Sequence, residues 1–275
     1  MDVQELVERY QRGETNFEKV DLHGQMLDNI NLSRINLKEA DLTDVNLVNC
    51  SLQQANLKEA NLSNAIIESD LTAINLIQAN LYKANLTKSD LSDASLRNAN
   101  LSESNFSYAS LVCALLHDTN LKKANFSRAK MISCLLSRAN LTDANLQGAN
   151  LQGANLTNAI MMNTNLEGAN LSLTQMNGVN GVGMNASYAD FSYANLSGGN
   201  FVKGNFNHSN FNESMMIWGS FKMTDFSYAN LLKAKLSWSN FTRANLQKAK
   251  LVDANINQTN FDMANLDDII LKIVQ

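Results

Sequence analysis

From Leu71 onward a large apolar residue returns at every fifth position, through Leu76, Leu81, Leu86 and Leu91 and on in unbroken phase to Leu271, with only Gly181 and Ala186 out of character. An earlier run, from Phe17 through Leu22, Leu27, Leu32 and Leu37 to Ile67, keeps the same period in a phase offset by one residue. Two positions before each large residue usually stands a small one, Ala most often and otherwise Ser, Thr, Cys or Gly, and the residue between them is Asn or Asp in most quintets. A period of five suits neither the 3.6 of an amphipathic helix nor the alternation of a half-buried strand. Self-similarity at a fixed short period marks a stacked repeat architecture. Small and large side chains two apart on an extended segment point the same way, so both face the interior of a narrow coil and the Asn between them faces out.

The pattern is clearest from Ala139 to Leu171, where Ala-Asn-Leu recurs at 139, 144, 149, 154 and 169. It resembles the pentapeptide-repeat family, whose A-(N/D)-L-x-x consensus follows the chain from about Thr15 to Leu271. The resemblance implies an all-β fold: a right-handed quadrilateral parallel β-helix with four quintets per coil. Residues 15–275 then form one solenoid domain of about 13 coils, in which each coil contacts its neighbours alone and the ends need caps.

Residues 1–14 depart from the repeat. Val3, Leu6, Val7 and Tyr10 fall on one helical stripe, with Asp2 placed as an N-cap and Gly13 as a stop. This predicts a short amphipathic helix laid over the first coil, where it covers open strand edges. The opening Met1-Asp2-Val3, with Glu5, Leu6, Tyr10, Gly13, Asn16 and Phe17, is similar to cyanobacterial members of the family, among them a regulator of heterocyst differentiation. Between Ile67 and Leu71 one residue is missing, which predicts a tightened corner near 68–70 without an end to the stack. Residues 173–190, with Gly178, Gly181 and Gly183, predict either an under-filled coil or a short outward loop. At a twenty-residue step Phe201, Phe221, Phe241 and Phe261 align as one interior column, with Phe206 above Phe226 and Phe191 above Phe211.

Composition narrows the chemistry. The formal net charge of −4 argues against a phosphate-binding surface, so no nucleic-acid partner is expected. No apolar run approaches a membrane span and no basic-then-apolar leader opens the chain. Cys50 and Cys134 take the small inward slot and Cys113 an outward one, at spacings that match no metal or redox motif. These readings point to the cytoplasm. His23, His117 and His208 lie far apart, and no nucleophile triad, zinc helix or phosphate loop is present. The expectation is therefore no enzyme, no cofactor and no metal.

What remains is the surface. Trp218 and Trp238, twenty residues apart at an outward position, stand beside Met215, Ile217 and Lys235, a composition of interface centres. A second candidate patch is Val112, Cys113, Leu115, Ile132 and Leu135, in which Leu115 and Leu135 replace the outward Asn in successive coils. Tyr108, Tyr188 and Tyr228 share another outward position, and Lys83, Lys122, Lys123, Lys203 and Lys222 make a neighbouring face basic. Ile269, Ile270, Ile273 and Val274 leave an apolar end with no following helix, which predicts an end-to-end homodimer. The first functional reading is a protein-binding scaffold, for which the cyanobacterial resemblance implies a partner in cell differentiation or stress signalling. The second, implied by other members of the family, is a DNA mimic acting on a type II topoisomerase and protecting gyrase. That reading requires a strongly negative face, and outward Lys and Arg interrupt every face here.

Overall fold

The computed structural model describes residues 1–271 and divides into two compact units, Met1–Leu135 and Leu136–Gln275. In the first unit α1 spans Val3–Gln11. Asp2 Oδ1 accepts the Glu5 amide at 2.8 Å, satisfying one of the unpaired donors of the first turn. Leu6 is fully buried, and the Tyr10 hydroxyl donates to the Ser33 carbonyl at 2.8 Å. Arg9 bonds Glu14 and Glu5 and lies over the Phe17 ring at 5.3 Å. The helix thus sits on the first coil as its apolar stripe predicts.

In both units the extended segments are joined by parallel bridges between residues twenty apart, such as Asn80 with Asn100 and Asn185 with Asn205. Four quintets therefore make one coil. Each quintet turns through a residue in the left-handed region, including Asn49 at φ 56° and Tyr108 at φ 61°. Such a conformation is unfavourable for a side-chain-bearing residue, and two sets of bonds hold it here. The turn residue's amide donates to the next coil, as Tyr108 does to the Ser127 carbonyl at 3.1 Å. The preceding Asn or Asp carboxamide or carboxylate oxygen accepts the amide two residues on, as Asp41 does from Thr43 at 3.0 Å.

The same geometry explains why the outward slot is Asn. While Oδ1 serves its own turn, Nδ2 donates to the Asn one coil earlier: Asn36 to Asn16 at 2.7 Å, Asn56 to Asn36 at 2.9 Å, Asn75 to Asn56 at 3.0 Å. An ionised Asp accepts without donating, so it heads a ladder. Asp190 accepts from Asn210 at 2.9 Å and Asp225 from Asn245 at 3.1 Å.

The four-residue step is absorbed where it was expected, though in another form. Strands β1, Asn46–Ser51, and β2, Ile66–Asp70, pair in parallel with an irregularity between Val48 and Ser51. The left-handed residue is what has been lost: Asn64 and Ala73 have positive φ and no residue between them does. The corner opens into extended strand instead of tightening. Ser69 fills the inward slot, donating to the Leu47 carbonyl at 2.6 Å and accepting from the Cys50 amide at 2.9 Å. Bridges that cross the break span nineteen residues, as between Asn56 and Asn75, and the stack continues.

The second unit has the bulkier core. Phe201, Phe221, Phe241 and Phe261 stack at centroid distances of 5.2, 5.0 and 5.5 Å, Phe206 on Phe226 at 4.9 Å, and Phe191 on Phe211 at 4.7 Å. Residues 173–190 form no outward loop, because Gln175, Asn180 and Asn185 bridge Asn195, Asn200 and Asn205 in register. At Gly181 an added Cβ would lie 2.9 Å from the Phe201 ring and 3.0 Å from Met184 Sδ. The coil is filled by neighbours, and Gly is the residue that leaves them room.

Candidate interaction surface

The turn position that favours no particular side chain inside the coil projects whatever it carries outward, and residues twenty apart there meet face to face. Trp218 and Trp238 occupy this position at φ 61° and 63°. Their rings stack at 5.0 Å and 10° between planes, yet they remain 64% and 51% exposed. Beside them Met215 bridges Lys235, both exposed, and Ile217 is half-buried. All five residues of the first candidate patch are thus brought together. The stack contributes about 0.5–1.5 kcal/mol and leaves a large apolar area in water.

The second candidate patch, in the first unit, is also assembled, but it lies flush. Leu115 bridges Leu135, and Val112, Leu115, Ile132 and Leu135 are half-buried. Cys113 is exposed and its amide donates to the Ile132 carbonyl at 3.0 Å. Cys50 and Cys134 are buried, and burial pushes the Cys134 thiol up to about 12. At the C-terminal end Ile269 is half-buried and Ile270 exposed, with Ile270 bridging Lys250. Ile273 and Val274 lie outside the described residues.

Two arrangements escaped the sequence reading. His208 stacks between Tyr188 and Tyr228 at 4.9 and 4.7 Å, and the Lys248 ammonium lies 5.3 Å from the Tyr228 ring. The signal for it was the spacing 188, 208, 228, with a histidine in the gap left by the tyrosines. Tyr108, in the first unit, instead takes the Arg128 guanidinium, which donates to its hydroxyl at 3.0 Å. The second arrangement is an open groove of about 580 Å³ lined by Lys222, Met223, Thr242, Arg243, Asp262 and Met263, the same turn in three successive coils.

Charge is handled differently along the chain. Lys19, Lys38, Lys58, Lys83 and Lys88 each approach a glutamate oxygen at 2.9–3.8 Å. The Lys38 ammonium holds the Glu39 carboxyl below its usual range by hydrogen bonding, and is itself raised in return. Residues 201–250 carry seven Lys or Arg and two Asp or Glu. Among the described residues, none of those seven cations comes within 4 Å of a carboxylate oxygen. Also among the described residues, no three His, Cys, Asp or Glu side chains gather as metal ligands, and no helix is long and apolar enough to cross a membrane.

The family profile "Pentapeptide repeats" matches the chain in eight copies, at residues 15–54, 35–69, 67–102, 99–138, 139–178, 189–227, 220–258 and 234–272. No curated protein sequence matches it. Among solved structures it is similar to HetL, a pentapeptide repeat protein involved in heterocyst differentiation regulation from the cyanobacterium Nostoc, at 26% identity over 98% of this chain and 97% of that one, with a TM-score of 0.36. It is also similar to QnrB1, a plasmid-mediated fluoroquinolone resistance protein, at 16% identity over 92% of this chain and 94% of that one, TM-score 0.30. A pentapeptide repeat protein from the cyanobacterium Cyanothece shares 24% identity over 50% of this chain and 63% of that one, TM-score 0.19.

Proposed function

The chain belongs to the pentapeptide repeat family, and we propose that within it this protein is a non-enzymatic scaffold that binds another protein through the Trp218–Trp238 surface. The carrying observation is the stack itself: two indoles at successive turns, more than half exposed, beside exposed Met215 and Lys235. Nothing in the repeat calls for aromatic residues at that outward turn, since Gly178, Gly198 and Gln258 fill the same position in other coils. Large aromatic side chains concentrate binding energy when a partner desolvates them. The coil behind them, in the right-handed quadrilateral winding that the family implies, supplies rigidity, so that little ordering entropy is spent on association.

The DNA-mimic reading has less to stand on. A surrogate for duplex DNA needs a continuous negative face, and residues 201–250 carry seven Lys or Arg against two Asp or Glu. A role in differentiation or stress signalling is the regulatory setting we favour.

The test is affinity capture from the source organism's lysate with wild type and the Trp218→Ala/Trp238→Ala variant in parallel, both checked for unchanged circular dichroism. A discrete protein held by wild type and lost by the variant supports the scaffold. Equal capture by both, or recovery of gyrase subunits, overturns it.

A further inference from the structure

Trp238 covers one face of Trp218 and leaves the other bare. One coil earlier the same turn position is Gly198, where an added Cβ would meet nothing within 4 Å. The column of rings therefore ends on an open indole face with room beside it for one more ring.

The next turn along the same coils is basic and apolar. Lys203 occupies it in one coil, Lys222 and Met223 in the next, and Thr242 with Arg243 in the one after; Asp262 and Met263 close the groove. Met223 and Met263 are 45% and 78% exposed. Arg243 Nε lies 3.5 Å from Met263 Sδ. Among the described residues Lys203, Lys222 and Arg243 lack a carboxylate within 4 Å, although Asp262 lines the same groove. Between the tryptophans and this groove run the neutral bridging residues Asn200, Ser220, Asn240 and Asn260.

We propose that the occupant of this surface is an acidic protein segment carrying an aromatic side chain, which stacks on the open face of Trp218 above Gly198 while its carboxylates meet Lys203, Lys222 and Arg243. This rests on the scaffold reading above and names its partner's chemistry. A nucleic acid fits less well. Phosphate backbones are held by many cations at once, whereas here two cations, Lys222 and Arg243, share a groove with a carboxylate and two methionines, and Lys203 stands at the same turn one coil earlier. Soft thioethers and indoles beside scattered charge are the makings of a protein interface, with the charges setting encounter rate and register.

The experiment uses the full chain and a fluorescein-labelled synthetic peptide of alternating Glu and Ser with one central Phe, read by anisotropy. Companion probes replace the Phe with Ala, replace every Glu with Lys, or substitute a single-stranded oligothymidylate. Two variants carry the test. Lys222→Glu/Arg243→Glu reverses the charge, and is expected to weaken the acidic peptide at least about tenfold, with wild-type binding falling as salt rises. Gly198→Tyr fills the slot from within, deleting no native group, and the equivalent left-handed turn position on other faces holds Tyr188, Tyr193 and Tyr228 at φ 60°. It is expected to bring the Phe peptide down to the level of its Ala companion, about tenfold. Absence of acidic-peptide binding, tighter binding of the oligothymidylate, or affinity indifferent to both variants overturns the proposal. A lysate partner lost with the tryptophans and kept by the charge-reversed variant leaves the scaffold standing and removes this assignment alone.

Discussion

Residues 1–135 and residues 136–271 follow one repeat and spend its free positions in opposite ways. In the first unit five lysines close on glutamates of the same turn or a neighbouring coil, as Lys58 does on Glu59 at 3.1 Å and Lys19 on Glu39 at 3.4 Å, while Lys122, Lys123 and Lys130 form no such pair among the described residues. Exposed large apolar residues there are few: Met26, Ile66 and Tyr108. The second unit exposes Trp218, Trp238, Tyr188, Tyr193, Tyr228, Met223 and Met263 and leaves its cations from Lys203 to Lys250 without ion-pair partners among the described residues. The interior differs too, leucine with a single Phe106–Phe126 stack in one and continuous phenylalanine columns in the other. The repeat fixes which slots point in and out and is indifferent to what the outward turn carries. A partner surface can therefore be written into one unit without altering the frame of either.

The contrast in the cores makes the largest effect. Phe221 stacks on Phe201 and Phe241 and meets Phe206 and Phe226 edge-on, so its removal leaves a cavity that four rings cannot readily close. Phe221→Ala is expected to destabilise the second unit by about 3–5 kcal/mol. Urea unfolding followed by tryptophan fluorescence reads this unit, because both tryptophans of the chain lie in it. Leu101→Ala in the first unit should leave that signal nearly unmoved, since solenoid coils couple through their neighbours. A fluorescence midpoint that responds equally to both substitutions would dissolve the distinction between the units.

The Asn ladders should show no such contrast, being part of the shared frame. Asn100 donates to Asn80 at 2.9 Å and accepts from Asn120 at 3.0 Å; Asn210 donates to Asp190 at 2.9 Å and accepts from Asn230 at 2.9 Å. Asn100→Ala and Asn210→Ala are each expected to cost about 1–3 kcal/mol, because a half-buried neighbour loses its partner. Asp190→Asn, at the head of a ladder that needs no donor there, should be close to neutral by comparison. Thermal unfolding checks all three. A large cost for Asp190→Asn with none for Asn210→Ala would show that the ladders carry no stability.

These cases also mark how far the sequence could be read. The five-residue period places Leu, Ala and Asn without help, and the twenty-residue step is enough to stack Trp218 on Trp238 and Phe221 on Phe201. The same step contained His208 between Tyr188 and Tyr228, but a lone histidine carries no sign of its neighbours until the column is drawn. The missing residue at 68–70 announced a break, while its form depended on which residue was lost, the left-handed one, and period alone does not say. At Gly181 the vacancy is filled by Phe201 from the following coil, a matter of rotamers. Ion pairing was equally hidden: Lys83 and Lys233 each have an acidic residue twenty positions on, Glu103 and Asp253, and Lys83 alone closes on it, at 3.8 Å. Asp253 is shorter by one methylene.

Acid offers the finest test of the contrast. Hydrogen bonds from Arg9 hold Glu14 below its ordinary value, and those from Lys38 and Lys19 do so for Glu39; the Thr43 hydroxyl and amide do the same for Asp41. A carboxylate whose folded pKa lies below its unfolded one lends stability that is complete above the unfolded value, about 4 for these side chains, and is lost as pH falls through the folded value. All three sit in the first unit, and Glu14 ties α1 to the coil through Arg9. Lowering the pH from about 5 to about 2 should therefore reduce the α1 signal at 222 nm before tryptophan emission changes. Exposure and salt keep the effect small, and Glu14→Gln should remove much of its pH dependence. If the helix and tryptophan signals fall together, with Glu14→Gln indistinguishable from wild type, charge pairing is not what sets the first unit apart.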